Sequence, residues 1–414
     1  MTTPASTSEK RIEVEAAAAS PAARRRLAET LGLERNIVAV SATMFLMGLG
    51  ENLWRRFLPK YLEALGAPVT AIGLFGSTQD AMDGVYQYPG GWLADRFGRR
   101  HALLLFVGLA ILGYALFFAA PAWPWAFAGL ALTMAWTSMA SPTLFAVVGD
   151  ALPKNKRTMG FTVQSVLRRV PIAVAPTVGG LAIATYGVRS GVRLGLVVSM
   201  VLAAATLVVA LRVRIPVVVD EAPTGIRAVW RSLPTPLRLL LSDIFIRTCE
   251  GMVDVFLVLY AINVVGISAP QFGALVAVQM VTSILSYFPA ARLADRTGRK
   301  PFVIATFVAF SLFPLAVVLS GNFTWLLAAF VVGGLRELGE PARKALIVDL
   351  ARPDLRARSI GLYYLVRSVT IAPAAFVGGL LWKVAPALPF HVAAGIGLLG
   401  TAAFAFTVDE RYAG

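Results

Sequence analysis

The sequence predicts an all-α membrane protein of twelve transmembrane helices, arranged as two pseudo-symmetric bundles of six. Two observations support this fold class: long apolar segments recur along most of the chain, and the second half repeats motifs of the first. Of the 414 residues, 57% are hydrophobic and 15% are charged, whereas soluble domains have about 25% charged residues. The composition excludes an ordinary soluble enzyme and a disordered chain.

Each of the twelve apolar segments is long enough to cross a hydrocarbon core of about 30 Å. They are expected to be helices, because backbone polar groups in lipid need hydrogen-bond partners within the segment. We expect the N-terminal six-helix bundle at 37–212 and the C-terminal bundle at 238–407. The polar, proline-containing stretch 213–237 is expected to be a cytoplasmic linker, and 1–36 and 408–414 are expected to be cytoplasmic tails.

The net charge of +15 is distributed according to this topology. With the N-terminus in the cytoplasm, the predicted cytoplasmic segments hold 26 Lys and Arg residues and the opposite face holds four. Cytoplasmic loops of membrane proteins carry such an excess. We therefore expect a multi-pass protein of the cytoplasmic (cell) membrane with both termini inside, and no nucleic-acid partner. The single cysteine, Cys249, and two distant histidines indicate no metal site, no cofactor and no enzymatic activity.

Two separated motifs repeat at a nearly constant spacing. The segment GWLADRFGRR at 91–100 returns as ARLADRTGRK at 291–300, 200 residues later. A second motif around Asp150 returns around Asp349, 199 residues later. Two bundles of like topology that repeat in parallel leave a cavity between them near the bilayer midplane.

The duplicated segment resembles motif A of the major facilitator superfamily, and the twelve-span layout resembles that family over residues 37–407. The resemblance implies a secondary transporter that works by alternating access, with a cavity lined chiefly by helices 1, 4, 7 and 10. It also implies a cytoplasmic gate built from both motif copies. The gate residues expected on this basis are Gly91, Asp95, Arg96, Gly98, Arg99, Asp150, Arg157, Asp295, Arg296, Gly298, Arg299, Asp349 and Arg356.

The residue types of this gate have physical roles. Gly98 and Gly298 allow a tight turn in a very short loop. Asp95 and Asp295 can face a helix N-terminus of the other half, where backbone N–H groups favour an anion. The arginines can pair with acidic helix ends or with lipid phosphates, and the alternative is that they only determine topology.

Ionisable side chains within the predicted helices form the second group of candidates, because such groups are costly in lipid and tend to face a cavity or a partner. On predicted helix 7, Asp243, Arg247, Glu250 and Asp254 share one face. The full set of candidates for substrate binding or proton coupling is Glu51, Arg55, Asp80, Asp83, Arg168, Asp243, Arg247, Glu250, Asp254, Arg336, Glu337, Glu340 and Arg367. Asp80 and Asp83 are the candidates for proton sites; the alternative for them is helix packing or pairing with a basic residue of helix 1.

The repeat suggests a specific pairing of these charges. Glu51 and Glu250 lie 199 residues apart, as do Arg168 and Arg367. The hypothesis is a pair of equivalent mid-membrane ion pairs, Glu51–Arg168 and Glu250–Arg367, that open and close during transport. The alternative is that these pairs only hold helices together.

Eight acids and seven bases lie in the predicted helices at membrane depth, and this balance favours a polar, zwitterionic or amphipathic solute. Helix 5 carries the segment 175–180 (APTVGG), which partly resembles the antiporter motif ending G-P-x-x-G-G. We therefore expect a small-molecule substrate, exported by exchange with protons through a monomer in contact with membrane lipids. The alternatives are a proton-coupled importer of a polar or anionic nutrient, with Arg168, Arg336 or Arg367 as the anion-binding group, and a transporter of lipids or other amphiphiles.

Overall fold

The computed structural model describes residues 35–140, 157–211, 237–340, 343 and 356–407. These residues are almost entirely helical, and no strand occurs among them. The helices form twelve spans, as the sequence predicts. The expected N-terminal tail, linker and C-terminal tail fall almost wholly outside the described ranges.

The N-terminal half contains spans α1 to α6. Span α1 is Arg35–Trp54, which passes through a 3₁₀ turn at Arg55–Phe57 into Leu58–Ala64. Spans α2 and α3 are Val69–Phe97 and Arg99–Ala119, and α4 is Trp125–Met134 with a π-helical end at Ala135–Met139. The helix Arg157–Leu211 contains two spans, because Gly187 has a non-helical φ of 79°; α5 is 157–186 and α6 is 188–211.

The C-terminal half contains spans α7 to α12. Span α7 is Leu237–Asp254, followed by Leu257–Leu259 and a π-helical turn at Tyr260–Val264. Spans α8, α9 and α10 are Ala269–Thr297, Lys300–Val318 and Phe323–Leu335. Span α11 is Arg356–Ile371 continued by Pro373–Val384, and α12 is Leu388–Thr407.

Length and apolar composition separate the spans into two groups. Among the residues that the structure describes, six stretches are long and apolar enough to cross a membrane by these criteria alone, and one of them, Arg169–Leu211, covers both α5 and α6. The spans outside that group are α1, α2, α4, α7 and α10, which carry charges or are interrupted. Because charges and irregular backbone are tolerated at membrane depth only inside the protein, these five spans are the ones expected to face an interior space.

The interruptions of the helices follow the repeat. The 3₁₀ turn at Arg55–Phe57 in α1 corresponds to the break after Asp254 in α7, 199 residues later. The π-helical end of α4 at Ala135–Met139 corresponds to the turn that follows Leu335 in α10. Each half therefore has its irregular backbone at equivalent depths. π-Helical turns and broken helices are common at functional sites.

Close glycine contacts join the two halves. A Cβ added at Gly180 of α5 would lie 2.5 Å from the Ala269 carbonyl oxygen of α8, and one at Gly73 of α2 would lie 2.5 Å from the Ala375 carbonyl oxygen of α11. Only glycine allows backbones to approach so closely, as is usual for helices that pack in membranes. Contacts between the halves therefore run along α5–α8 and α2–α11, with further contacts of α7 to α1 and α2.

Candidate functional site

A cavity of about 360 Å³ lies between the two halves and is lined by α1, α2, α4, α5, α7, α8 and α10. Its charged lining residues are Glu51, Arg55, Arg56 and Asp254. Four aromatic side chains also face it, namely Phe75, Trp136, Phe272 and Phe330. The cavity thus combines two acids, two bases and apolar rings. Such a lining suits a small solute that has both charged groups and apolar surface.

Glu51 is the least exposed of the four charged side chains that line this cavity. Its carboxylate Oε1 accepts a hydrogen bond from the Arg55 guanidinium at 2.9 Å and one from Thr137 Oγ1 of α4 at 3.2 Å. The Glu51 side chain is only 10% exposed, whereas that of Arg55 is 32% exposed. Glu51 therefore ties α1 to α4 within the N-terminal half, and Arg55 presents the accessible end of the pair to the cavity.

A second ion pair of the cavity crosses between the halves. The guanidinium of Arg56 in α1 lies 3.5 Å from the Asp254 carboxylate of α7, with the two side chains 34% and 45% exposed. This separation is at the long end for a charged contact, and both groups remain accessible. A solute that carries both a positive and a negative charge can replace this contact, because each of its charges binds one of the two partners.

The C-terminal half contains a larger network of charged side chains around Asp243 of α7. The Arg343 guanidinium donates to Asp243 at 2.8 Å and to Glu340 at 2.7 and 2.9 Å, and the side chains of Arg343 and Asp243 are 2% and 0% exposed. Asp243 also accepts from Tyr363 at 3.1 Å and from Arg367 at 3.4 Å. The network joins α7 and α11 to Glu340 and Arg343, which follow α10 in the chain, through groups that satisfy each other's charges, as buried ions require.

The same network continues toward the cavity. Arg247 bridges the carboxylates of Glu250 at 2.7 Å and Glu340 at 3.4 Å. Arg336 lies 3.7 Å from Glu250, and its guanidinium stacks over the Phe313 ring at 4.5 Å. All four acids and bases predicted on α7 thus lie in ion pairs, with Asp254 at the cavity and the others in the network.

The expected pairing of glutamates with arginines of helices 5 and 11 needs correction. Within the described residues Glu250 and Arg367 form no ion pair, because Glu250 contacts α10 through Arg336 and Arg367 contacts Asp243. The Arg168 side chain lies outside the described part, so the pair Glu51–Arg168 stays a prediction. The repeat does hold in another form, since Thr137 and Arg336, which contact Glu51 and Glu250, are themselves 199 residues apart.

Asp80 and Asp83 lie three residues apart on α2 but face different partners. Ser138 of α4 donates to Asp83 at 2.6 Å, so Asp83 faces its own half. Asp80 faces the other half, where its Oδ2 lies 3.3 Å from the position that a Cβ would take on Gly251. Within the described residues, Asp80 makes no ion pair and no hydrogen bond.

A polar contact joins the halves at the end of the bundle where α1 ends, here called the Lys60 end. The ammonium of Lys60 donates to Glu63 at 2.5 Å and also to the Asn263 side chain of α7. The Asn263 amide in turn donates to Glu63 at 2.8 Å. These residues were not predicted, because no pattern in the sequence brings Asn263 next to the end of α1.

In another contact between the halves, only one of the two partner residues was predicted. Arg169 of α5 donates to Ser283 of α8 at 2.5 Å and to Glu337 of α10 at 3.3 Å. Glu337 was a candidate, but its partner across the halves was not identified. Arg343 lies three residues after Glu340 on the predicted tenth helix but was not among the candidates, although this spacing could have indicated the pair.

Only part of the expected gate lies within the described side chains. Gly98 and Gly298 have φ values of 81° and 98°, which confirms the tight turns expected at both copies of the motif. Arg96 stacks over the Trp92 ring at 5.3 Å at the opposite end of the bundle, here called the Arg96 end. The side chains of Asp95, Arg99, Asp150, Arg157, Asp295, Arg296, Asp349 and Arg356 lie outside the described part, as does any contact of Gly91. Arg299 follows the turn at Gly298 and is the N-cap residue of α9.

Metal binding finds no support in the part of the chain that the structure describes. No group of three or more His, Cys, Asp or Glu side chains is placed there to hold an ion. Cys249 is buried, and its thiol donates to the Phe310 carbonyl oxygen at 3.5 Å.

A twelve-span bundle built as two repeats around a mid-membrane cavity has the architecture of a membrane transport protein. The chain belongs to the Major Facilitator Superfamily, whose family model matches residues 40–261 and 239–414. It is therefore a transporter of this superfamily, and the family consists of transporters rather than enzymes.

Individual relatives are distant. An uncharacterized MFS-type transporter of Methanocaldococcus jannaschii is 21% identical over 370 residues, which is 86% of this chain and 91% of the relative. The multidrug resistance protein MdtG of Citrobacter koseri is 26% identical over 341 residues, covering 78% and 82% of the two chains. Among solved structures, a POT family transporter superposes with a TM-score of 0.76 at 14% identity, over 89% of this chain and 95% of that one. At this identity the structural likeness shows the fold alone.

Proposed function

We propose that the protein exports a small zwitterionic or amphipathic organic solute across the cell membrane in exchange for protons. The observation that carries the proposal is the charged and aromatic cavity between the two halves. Both halves contribute to it, so a bound solute contacts the two bodies that must move relative to each other in alternating access.

The cavity supports this substrate class through its size and charge. A volume of about 360 Å³ is at the small end of ligand pockets, which span about 300–1,000 Å³. Arg55 and Arg56 can receive a carboxylate, and Asp254 can receive an ammonium group from the opposite side. The rings of Trp136 and Phe272 offer apolar surface to the rest of the solute.

Closure at the Lys60 end supports alternating access. The Lys60–Asn263 contact and the glycine contacts at Gly73 and Gly180 all join the halves between the cavity and that end. In the proposed orientation this end is extracellular and both termini are cytoplasmic. These contacts must break for the solute to leave, while the motif A residues at the Arg96 end close the cytoplasmic side.

The direction of transport rests on one relative and on the charge of the cavity. The relative from Citrobacter koseri is named a multidrug resistance protein, which supports export. The paired acids and bases of the cavity oppose strong selection for a purely anionic nutrient. A monomer in contact with membrane lipids completes the proposal.

Transport into inverted membrane vesicles tests the proposal. Norfloxacin, which carries both a carboxylate and an ammonium group near neutral pH, is added to vesicles with an acidified lumen. Exchange predicts that norfloxacin accumulates inside while protons leave, so that a pH-sensitive dye reports loss of the gradient. An importer would instead move norfloxacin out of preloaded vesicles together with the protons that leave the acidified lumen, and such efflux would support the importer. Norfloxacin flux equal to that of vesicles without the protein would reject the proposed substrate class.

Matched variants locate the effect in the cavity. Arg56→Gln and Asp254→Asn remove one charge each from the pair that crosses the halves, and each should reduce norfloxacin flux at least tenfold. The control is Arg189→Gln, because Arg189 is exposed at the Lys60 end and donates to the Ala64 carbonyl oxygen at 2.9 Å, away from the cavity. Equal losses in all three variants would indicate a general defect instead of a binding role.

A further inference from the structure

Two glutamine side chains face the cavity from equivalent positions of the two halves. Gln79 of α2 and Gln279 of α8 both line it. They lie 200 residues apart, which is also the spacing of the two copies of motif A at the ends of the same helices. Each follows the first residue of its helix, Val69 or Ala269, by ten residues. The two amides therefore lie at the same depth, about 15 Å from the Lys60 end at 1.5 Å per residue.

The two glutamines lie on the flanks of the cavity. Helix α2 packs against α11 and α8 packs against α5, and these are the two lines of contact between the halves. The charged lining residues Arg55, Arg56 and Asp254 come from α1 and α7, which lie between the flanks. A solute that binds those charges therefore has an amide on either side of it.

Both amides lack a hydrogen-bond partner among the residues that the structure describes. No bond of the Gln79 or Gln279 side chain occurs within those ranges, and both side chains are partly exposed. Other polar residues of the lining are already bonded, since Asn52 donates to the Gly48 carbonyl oxygen at 2.8 Å and Glu51 accepts two hydrogen bonds. The two glutamines thus keep their donors and acceptors available for a bound solute.

The chemistry of a glutamine amide selects a complementary group. It presents an N–H donor and a C=O acceptor on one planar edge, and glutamine uses this edge for bidentate contacts with nucleobases. A primary carboxamide or a lactam has the same two groups on one edge, so it can form two hydrogen bonds with a glutamine at once. A site that offers such bonds rejects analogues that cannot make them, because its polar groups are then left unpaired.

We propose that Gln79 and Gln279 determine specificity for solutes that bear an uncharged carboxamide or lactam group in addition to their charged groups. This inference rests on the proposed function, because it concerns the substrate of the same cavity. Phe75 lies one turn before Gln79 on α2, and Phe272 lies two turns before Gln279 on α8, so each amide shares a helix face with an aromatic ring of the lining. The amides then separate such solutes from apolar zwitterions of the same size, which the rings and charges alone do not do.

Two amino acids that differ only in this group test the proposal. 4-Carbamoyl-L-phenylalanine carries a primary carboxamide on its ring, and 4-isopropyl-L-phenylalanine carries an apolar group of nearly the same shape in its place. The rise in Tm of the purified protein in detergent, measured as each compound is added, gives an apparent Kd, because a ligand of the folded state stabilises it. The native protein should bind the carbamoyl compound at least about tenfold more tightly.

Leucine variants assign this preference to the two amides. Gln79→Leu and Gln279→Leu nearly keep the size of the side chain, and the double variant should bind both compounds equally. Each single variant should lose part of the preference, and one that keeps all of it overturns the proposal for that glutamine. Gln271→Leu is the matched control on α8 and should keep the native preference, because Gln271 lies outside the cavity lining and accepts a hydrogen bond from the Ser268 backbone N–H at 2.8 Å.

Three results overturn the proposal as a whole. They are equal binding of the two compounds by the native protein, an unchanged preference in the double variant, and no stabilisation of the native protein by the carbamoyl compound. The outcome is separable from that of the vesicle assay, since binding in detergent needs no proton gradient. A preference that depends on the glutamines supports the inference even if norfloxacin is not exchanged for protons. Norfloxacin exchange without this preference keeps the proposed function and rejects the role of the glutamines.

Discussion

Replacing Arg343 by methionine tests whether the buried network of the C-terminal half stabilises the fold. Arg343 is 2% exposed and binds Asp243 and Glu340, so Arg343→Met leaves two buried carboxylates without their main partner. Removing one partner of a buried pair costs about 3–5 kcal/mol. Asp243 keeps Arg367 at 3.4 Å and Tyr363 at 3.1 Å, so the lower end of that range is expected.

A loss of about 3 kcal/mol corresponds to a fall in Tm of roughly 6–12 °C for a unit of the size of one half. Tryptophan fluorescence during thermal unfolding in detergent measures it. Lys60→Met is the comparison for a more accessible pair, whose side chains are 19% and 34% exposed, and it should change Tm by no more than about 4 °C, because such pairs contribute about 0–1 kcal/mol. The double variant Arg343→Met with Asp243→Asn should recover part of the loss, because it removes the buried charge as well as its partner. A Tm for Arg343→Met within about 1 °C of the native value would refute the reasoning.

Three further predictions concern the contacts between the halves. Gly73→Val should prevent close packing against Ala375, giving a protein that inserts but whose Lys60 end stays open to membrane-impermeant thiol reagents at introduced cysteines. Lys60→Cys together with Asn263→Cys should form a cross-link that stops transport reversibly, as flux before and after reduction would show; undiminished flux in the cross-linked protein would exclude opening at this end. Arg56→Lys should keep more flux than Arg56→Gln, because it retains the charge although not the planar fork of donors.

The sequence was sufficient for the fold because the membrane restricts the choices. Twelve apolar segments, a duplicated motif and the distribution of arginines can each be read directly from the sequence. Long apolar segments in lipid form helices, because their backbone hydrogen bonds must be made within the segment. Even the positions that carry buried charge were recognisable, since Asp243, Arg247 and Glu250 interrupt an otherwise apolar helix.

The partners of those charges could not be predicted in the same way. The repeat suggested that Glu250 pairs with Arg367, but Asp243 lies on the same helix and competes for that guanidinium. Which acid prevails depends on how far α7 and α11 are displaced along their axes, and this displacement is set by packing of residues such as Tyr363. Contacts between the halves, such as Arg169–Glu337, depend in addition on the conformation in which the transporter is held.

The charge network of α7 has a consequence for biogenesis. Asp243 reaches the insertion machinery 100 residues before Arg343, its main partner. At translation rates of about 5–20 residues per second, this delay is roughly 5–20 s. During that interval α7 has a charge at Asp243 that is costly in lipid, so we expect α7 to stay beside the translocon until α10 and α11 are synthesised and the three helices can enter the bilayer together.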